Sequence, residues 1–231
     1  MHHFSNDSLD HRVLTLALLS CFAWGCGDAA PVAPRTAPTV DALAGVCAGE
    51  FDVSPRDLRA KFSANADGTA LIMRGSIGRS TLRDLSDALN EHPDANILIL
   101  PYSPGSSDDV VNLQAARLVA DSNLGTCVPD GGSISSGAVD LFLGGRVRRL
   151  LGTNTVGGHT WAQGRTAGVD LPRDDPEHDL YLDYYAYVGV DPEFYWFTLE
   201  AAPANDIHNM TEEERLRFEM ETPPLEPVSS N

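Results

Sequence analysis

The run Asn96-Ile97-Leu98-Ile99-Leu100 constrains the fold of this chain more than any other segment. Four consecutive aliphatic residues closed by Pro101 lack the alternation of a half-exposed strand. They predict a strand buried on both faces, as in a parallel sheet covered on its two sides. Flanking signals fit such a sheet. Residues 70–77 read as a strand, and Ser80 or Thr81 caps a helix with Leu82, Leu85 and Leu89 on one face. Asp108 or Asp109 caps a second helix bearing Val110, Leu113, Ala116, Leu118 and Val119. A short strand at 126–128, a helix over 135–143 and strands at 147–151 and 155–156 follow, and from Glu177 onward the chain reads as helical and rich in aromatics. Strands alternating with helices predict an α/β fold of repeated βαβ units, with a mostly parallel sheet and a helical C-terminal part.

The chain has 231 residues, 42% of them hydrophobic, which suits one well-buried domain better than two. Its formal charge is −17, and removing residues 1–25 (Asp7, Asp10 and Arg12, net −1) leaves −16. Such a surface repels phosphate backbones and anionic headgroups, so no nucleic acid is expected as a partner. Lys61 is the only lysine, and it precedes the first confident strand, which argues against a serine–lysine active site. His159, His178 and His208 show no tight metal-ligand spacing, so neither a metal nor another cofactor is expected.

Arg12 followed by an apolar run from Val13 to Trp24 reads as an export signal, too short to span a bilayer as a mature helix. Ala23-Trp24-Gly25-Cys26 resembles the lipobox of bacterial lipoproteins, in which the cysteine is acylated. Leu18-Leu19-Ser20-Cys21 is a second candidate, and an ordinary secretory signal is the alternative to both. The expected organisation is a signal peptide over 1–25, a lipidated tether over 26–45, one domain over 46–225 and a tail over 226–231. The expected location is the cell envelope facing the periplasm, with membrane contact only through the lipid on Cys26. In that compartment Cys47 and Cys127 form either one disulfide or two separate buried thiols.

Three strand-to-helix junctions carry unusual residues: Ser103-Pro104-Gly105-Ser106, Gly131 to Ala138, and Gly157-Gly158-His159. In open α/β folds ligands bind at such junctions. Ser103-Pro104-Gly105 resembles the Ser-Pro-Gly-Gly loop of the ClpP/crotonase superfamily, Gly131-x-x-x-Ser135-x-Gly137-Ala138 resembles its nucleophile turn, and Gly158-His159 lies where its catalytic histidine is expected. Asn205-Asp206-Ile207-His208 resembles the aspartate-bearing stretch before its last helix. The similarity runs from about residue 70 to 221 and is closest to secreted ClpP-like proteins of unassigned role.

The resemblance implies a serine hydrolase, a peptidase first of all, with Ser135 as nucleophile, His159 as base and Asp206 as orienting acid. Asp170, Asp179 and Asp183 are alternatives for the acid. Backbone N–H groups of Gly105 or Ser106 and of Ser136 are the implied oxyanion donors, and the superfamily's habit implies a homo-oligomer. Departures are visible: Ser106 replaces the second glycine of the loop, and Ser133 replaces the first glycine of a strict Gly-x-Ser-x-Gly elbow. The chemistry stands without the name, because a serine hydroxyl needs a base, and a histidine held in one tautomer is the usual one. A competing reading keeps the fold as a non-catalytic binding or assembly scaffold, with Ser135 serving only close packing.

Overall fold

The computed structural model describes residues 31–55 and 59–223. In chain order the elements are α1 (Val40–Cys47), β1 (Lys61–Ala64), β2 (Ala70–Arg74), α2 (Thr81–Glu91), β3 (Ile97–Ser103), α3 (Asp109–Asp121), β4 (Gly125–Val128), β5 (Ser133–Ser135) and α4 (Gly137–Leu143). There follow β6 (Val147–Leu150), β7 (Thr155–Gly158), β8 (Ala162–Gln163), β9 (Thr166–Ala167), α5 (Asp179–Val188), α6 (Glu193–Ala201), β10 (His208–Asn209) and α7 (Glu212–Arg217). The fold is α/β with a mostly parallel sheet. β2, β3, β4, β5, β6 and β7 pair in parallel, and only β1 and β10 join the main sheet antiparallel.

β3 is the trunk of this sheet, and the sheet forks beside it. Residues Ile97–Ile99 pair with β4, which continues to β6, whereas Tyr102 and Ser103 pair with β5, which continues to β7 and β10. Pro101 lies between the two ladders, where the register with β2 also shifts. A residue without an N–H is tolerated where pairing changes partners, so the strand runs through Pro101 to Ser103 where the sequence reading ended it. This extension places the Ser103-Pro104-Gly105-Ser106 loop beside β5.

Both faces of β3 are buried, as the apolar run required. Leu98 and Leu100 join the main core with Leu85, Leu89, Leu113, Val119, Ile134 and Phe142. Ile97 and Ile99 face a smaller cluster completed by Leu43, Cys47 and Cys127. Helix α1 covers that second face. Thr39 caps it, accepting from the Ala42 N–H, and its last residue, Cys47, is disulfide-bonded to Cys127 of β4 at a Cα separation of 6.3 Å. The expected tether therefore stops short of residue 45. Ahead of α1, Arg35 donates to the Leu89 carbonyl, Asn96 donates from its amide to the Thr36 carbonyl, and Val32 packs on the main core. Cys21 and Cys26, with the apolar run before them, lie outside the described residues, as does the tail at 226–231. Among the described residues no helix is long and apolar enough to cross a membrane.

The C-terminal third is less uniformly helical than the sequence reading has it. A β8–β9 hairpin precedes α5, and β10 pairs with β7. Its aromatics are core residues: Tyr184, Tyr185, Phe194 and Tyr195 are buried, while Tyr187 is 51% exposed. The aromatic richness of this region is thus mostly spent within the chain's own core.

Candidate active site

β5 and β7 are parallel neighbours, with Ser135 opposite Gly157. The chain leaves β5 at Ser136 and turns into α4, while β7 ends at Gly158 and delivers His159 alongside. The Ser136 N–H donates to the Gly157 carbonyl at 2.9 Å, holding the turn against the neighbouring strand end. Ser136 has φ 51° and ψ −134°, a conformation in which a residue with a Cβ is strained. Its hydroxyl makes no capping bond to α4. Ser136 and His159 line one hollow, together with Ser106, Asp109, Asp140 and the aromatics Trp161, Tyr181 and Tyr195.

The structure thus separates the two serines that the sequence reading placed in different roles. Ser135 is not among the residues lining this hollow; its hydroxyl donates to the Pro104 carbonyl at 3.1 Å. Side chains alternate along a strand, so Ser135 and Ile134 point to opposite faces and the following turn brings Ser136 to the other side from Ser135. Ser136, expected as an oxyanion donor, already gives its N–H to Gly157.

The N–H groups of Gly137 and Ala138, and that of Ser106, which the resemblance already implied, are better placed as such donors. The Gly137 and Ala138 N–H groups belong to the first turn of α4, where a helix leaves donors unpaired. Ser106 forms a parallel bridge with Ile77: Gly105 accepts from Ile77 and Ser107 donates to it, so the Ser106 N–H is turned the opposite way. The two segments touch, because a Cβ added to Gly137 would lie 2.7 Å from the Ser106 Cβ. Gly105 carries φ +121°, and Ser106 is not among the residues of positive φ. The replacement of the second loop glycine by Ser106 is therefore accommodated without strain.

His159 is half-buried, and burial lowers its pKa from 6.5, opposed by a hydrogen bond to the Ala204 backbone and by the charge of Asp109. The ring is thus held neutral at pH 7, the form able to accept a proton. Nδ1 is buried without a partner. An imidazole that donates to a backbone carbonyl from one nitrogen presents the lone pair of the other.

Asp206 is exposed, and its carboxylate accepts the N–H of Ile207 at 2.8 Å. No hydrogen bond joins it to His159. Neither Asp206 nor Asp170, Asp179 or Asp183 lines the hollow. The backbone group beside the histidine is that of Ala204, which lies just ahead of the stretch that the resemblance singled out.

The carboxylates that do line the hollow are Asp109 and Asp140. Asp109 accepts from the Ser106 hydroxyl and from Tyr181 at 2.6 Å. Asp140 accepts from Tyr185 at 2.6 Å and from the Asn112 amide at 3.0 Å, and burial, reinforced by the charge of Asp109, pushes its pKa up to about 7. The sequence reading used Asp109 only as a helix cap and passed over Asp140. The available signal was a lone acid inside the otherwise apolar stretch Ala138-Val139-Asp140-Leu141-Phe142-Leu143, because such an acid almost never goes inside without a purpose-built polar partner.

Lys61, on the edge strand β1, lines a separate hollow with Arg59, Arg74 and Tyr102. Among the described residues no group of three or more His, Cys, Asp or Glu is arranged to hold a metal ion.

No family model matches this chain, and no curated protein matches it. Among solved structures, a serine-to-alanine mutant of the 1510-N membrane-bound stomatin-specific protease matches with a TM-score of 0.45 at 15% identity, over 65% of this chain and 75% of the other. A lysine-to-alanine mutant of the same protease, in complex with a substrate peptide, matches with a TM-score of 0.41 at 16% identity, over 63% and 71%. At that distance no residue role transfers from one chain to the other.

Proposed function

We propose that this protein is a serine hydrolase acting on peptide or other acyl substrates, with Ser136 as nucleophile and His159 as general base. The observation that carries the proposal is the strained turn at Ser136, a serine whose side chain does not cap α4 and which lines the same hollow as His159. Strain of this kind persists only where the surroundings impose it, and it clusters at active sites. Ser136 Oγ attacks the substrate carbonyl carbon while its proton passes to His159 Nδ1. The N–H groups of Gly137 and Ser106 receive the developing oxyanion. The protonated imidazole then gives its proton to the leaving group as the bond from that group to the carbonyl carbon breaks, leaving an acyl–serine, and water attacks this ester by the same steps to release the acid and restore the serine. The Ala204 carbonyl orients the ring in place of a carboxylate, and the nearby charge of Asp109 favours the imidazolium that forms.

The experiment is fluorophosphonate labelling of the folded protein with the adduct located by peptide mass spectrometry. An adduct on Ser136 supports the reading. An adduct on Ser135 restores the assignment made from the sequence, and the absence of any serine adduct rejects the hydrolase. The scaffold reading retains two favouring observations: among the described residues no carboxylate is hydrogen-bonded to His159, and no hydroxyl is hydrogen-bonded to its Nδ1.

The envelope setting belongs to the same proposal. It rests on the apolar run ending at Cys26, and mass spectrometry of the membrane fraction should find the acylated cysteine as the mature N-terminus. Assembly into a homo-oligomer likewise rests on the superfamily resemblance, and light scattering at about 10 µM, in the range where concentration-dependent association shows, decides it.

A further inference from the structure

The charge of the chain inverts at one place on its surface. Acids outnumber lysine and arginine by 33 to 16, yet the hollow at the β1–β2 end of the sheet is lined by Arg59, Lys61 and Arg74 and, among the described residues, by no acid. It shares no lining residue with the hollow of Ser136 and His159. Ile72, which lines it, packs on the cluster of Ile97 and Ile99, so the hollow lies on the sheet face that α1 covers elsewhere. Helix α1 rests on β4 and β6, and the face is left open where β1 and β2 extend it.

Strand register builds this cluster. Lys61 of β1 stands directly opposite Arg74 of β2, and Arg74 stands opposite Tyr102 of β3, so the three side chains form one row on one face. Ser63, two residues after Lys61, shares that face, and Arg59 lines the same hollow. Like charges directly opposite on neighbouring strands are destabilising. Asp52 relieves part of this by pairing with Arg74 at 2.6 Å, and the Ser54 carbonyl accepts from the same guanidinium. Nothing equivalent serves the other two cations. Among the described residues no ion pair engages Lys61 or Arg59, and no hydrogen bond engages the hydroxyls of Ser63 and Tyr102. The acid that the charge of Arg59 reaches, Asp84, is already bonded to Ser80 and Arg83. Two cations and two hydroxyls thus line one space without a protein acceptor.

We propose that this hollow binds a phosphate monoester, its dianion received by Lys61 and Arg59, with Ser63 and Tyr102 completing the donors. With Arg74 offset by Asp52, two positive charges remain, which match a dianion; a carboxylate would leave one of them unopposed. The guanidinium fork suits phosphate oxygens, and the ammonium acts beside it as a point charge. The formal charge of −17 turns away a polyanion that must meet the whole acidic surface. A small ligand senses only the local sign, because charges farther than about 8 Å are screened at physiological salt. The hollow measures about 270 Å³, at the small end of ligand sites, so it takes a terminal phosphate group, from a soluble small molecule or from a lipid headgroup. The site does not depend on the hydrolase reading.

Calorimetric titration of the full chain with phenyl phosphate, against benzoate as the carboxylate counterpart, tests the proposal. Phenyl phosphate should bind about tenfold more tightly at pH 7.5, the step that one added charge-assisted bond supplies. Its affinity should fall between pH 7.5 and 5, because the second proton of a phosphate monoester leaves with a pKa of about 6. No histidine lines the hollow among the described residues, so the ligand carries that titration. Lys61→Gln and Arg59→Gln, both at exposed positions, should each weaken binding about tenfold, and either one suffices should the other fail to fold by circular dichroism. No binding of phenyl phosphate at about 10 mM, where a millimolar site is filled, overturns the proposal. Equal binding of benzoate, or undiminished binding in the folded variants, overturns it too.

Competition separates the two sources of the phosphate. Phosphatidylcholine vesicles containing phosphatidic acid, a lipid with a phosphate monoester headgroup, displace phenyl phosphate if the ligand is a headgroup. Failure of these vesicles to displace it assigns the site to a soluble phosphate monoester. Displacement by phosphatidylcholine alone, whose phosphate is a diester, overturns the monoester assignment.

Discussion

Gly105 and Ser136 approach so closely that a Cβ on Gly105 would lie 2.7 Å from the Ser136 Cβ and 3.1 Å from the Ser135 carbonyl oxygen. The loop that follows β3 and the turn that follows β5 are thereby locked as a pair. The Ser136 conformation has a cause in this contact: the turn is braced by Gly105 on one side and by the Gly157 carbonyl on the other.

Gly105→Ala meets two obstacles at once, the clash with Ser136 and a backbone at φ +121° that residues with a Cβ rarely adopt. We expect a loss of stability of about 1–3 kcal/mol and a fall in fluorophosphonate reactivity of roughly 10²-fold, the scale set by a misplacement of about 1 Å. Denaturant titration and labelling kinetics measure the two. A variant that labels at the normal rate would show that the contact does not set the Ser136 geometry.

Ser136→Ala and His159→Ala should each lower hydrolysis by about 10⁴-fold or more, and the double variant should be little worse than either, as for residues that act as a unit. Ser135→Ala should stay within about threefold of the unmodified protein, since substitutions outside the reacting geometry cost little. Its hydroxyl serves the Pro104 carbonyl. Asp206→Asn should also be nearly silent, because its carboxylate is bound to its own following N–H. Steady-state kinetics on a peptide or ester substrate decide the set, and a large loss in Asp206→Asn would return that residue to the catalytic unit.

The sheet was legible because burial on both faces leaves an unmistakable apolar run at 97–100, and because Asp108 caps α3 through the Val111 N–H as its sequence pattern implies. The forking of the sheet at Pro101 was not, since a proline reads as a strand end when the partner strands are unknown. Strand β10 escaped notice because two residues carry no periodicity. At the site, residues of all three junctions line one hollow, but the choice between adjacent serines proposed above depends on which side of a kinked turn each hydroxyl leaves. One residue of register decides that. The Ala204 carbonyl proposed to orient His159 was invisible in principle, because a backbone carbonyl has no letter in a sequence.

The Cys47–Cys127 bond closes 80 residues of sequence and pins α1 over Ile97 and Ile99. On the chain-entropy account a loop of that length contributes about 4 kcal/mol by restricting the unfolded chain. Urea unfolding with and without reductant should show a loss within the range of roughly 2–5 kcal/mol, accompanied by faster proteolysis ahead of Lys61. Unchanged unfolding after verified reduction would mean that α1 packs as well without its tie.

Asp140 predicts an unusual pH dependence of stability. Its pKa is raised from 3.8 to about 7 in the folded protein, so the folded state holds a proton that the unfolded state gives up. The sign follows directly: the stabilisation is fully present below about pH 4 and declines as pH rises toward 7, beyond which its loss is complete. The span between the two values is worth on the order of 4 kcal/mol. Asp140→Asn keeps the acceptor for Tyr185 and removes the titration, and its new N–H can pair with the unpartnered Asn112 oxygen once the Asn112 amide turns over. The variant should therefore be more stable than the parent at pH 8, with the gap narrowing steadily as pH falls toward 5. Guanidinium unfolding at pH 5, 6, 7 and 8 measures it. A gap that stays constant across that range would show that Asp140 is already ionised at pH 5, and that the charge of Asp109 and the surrounding burial do not hold its proton in place.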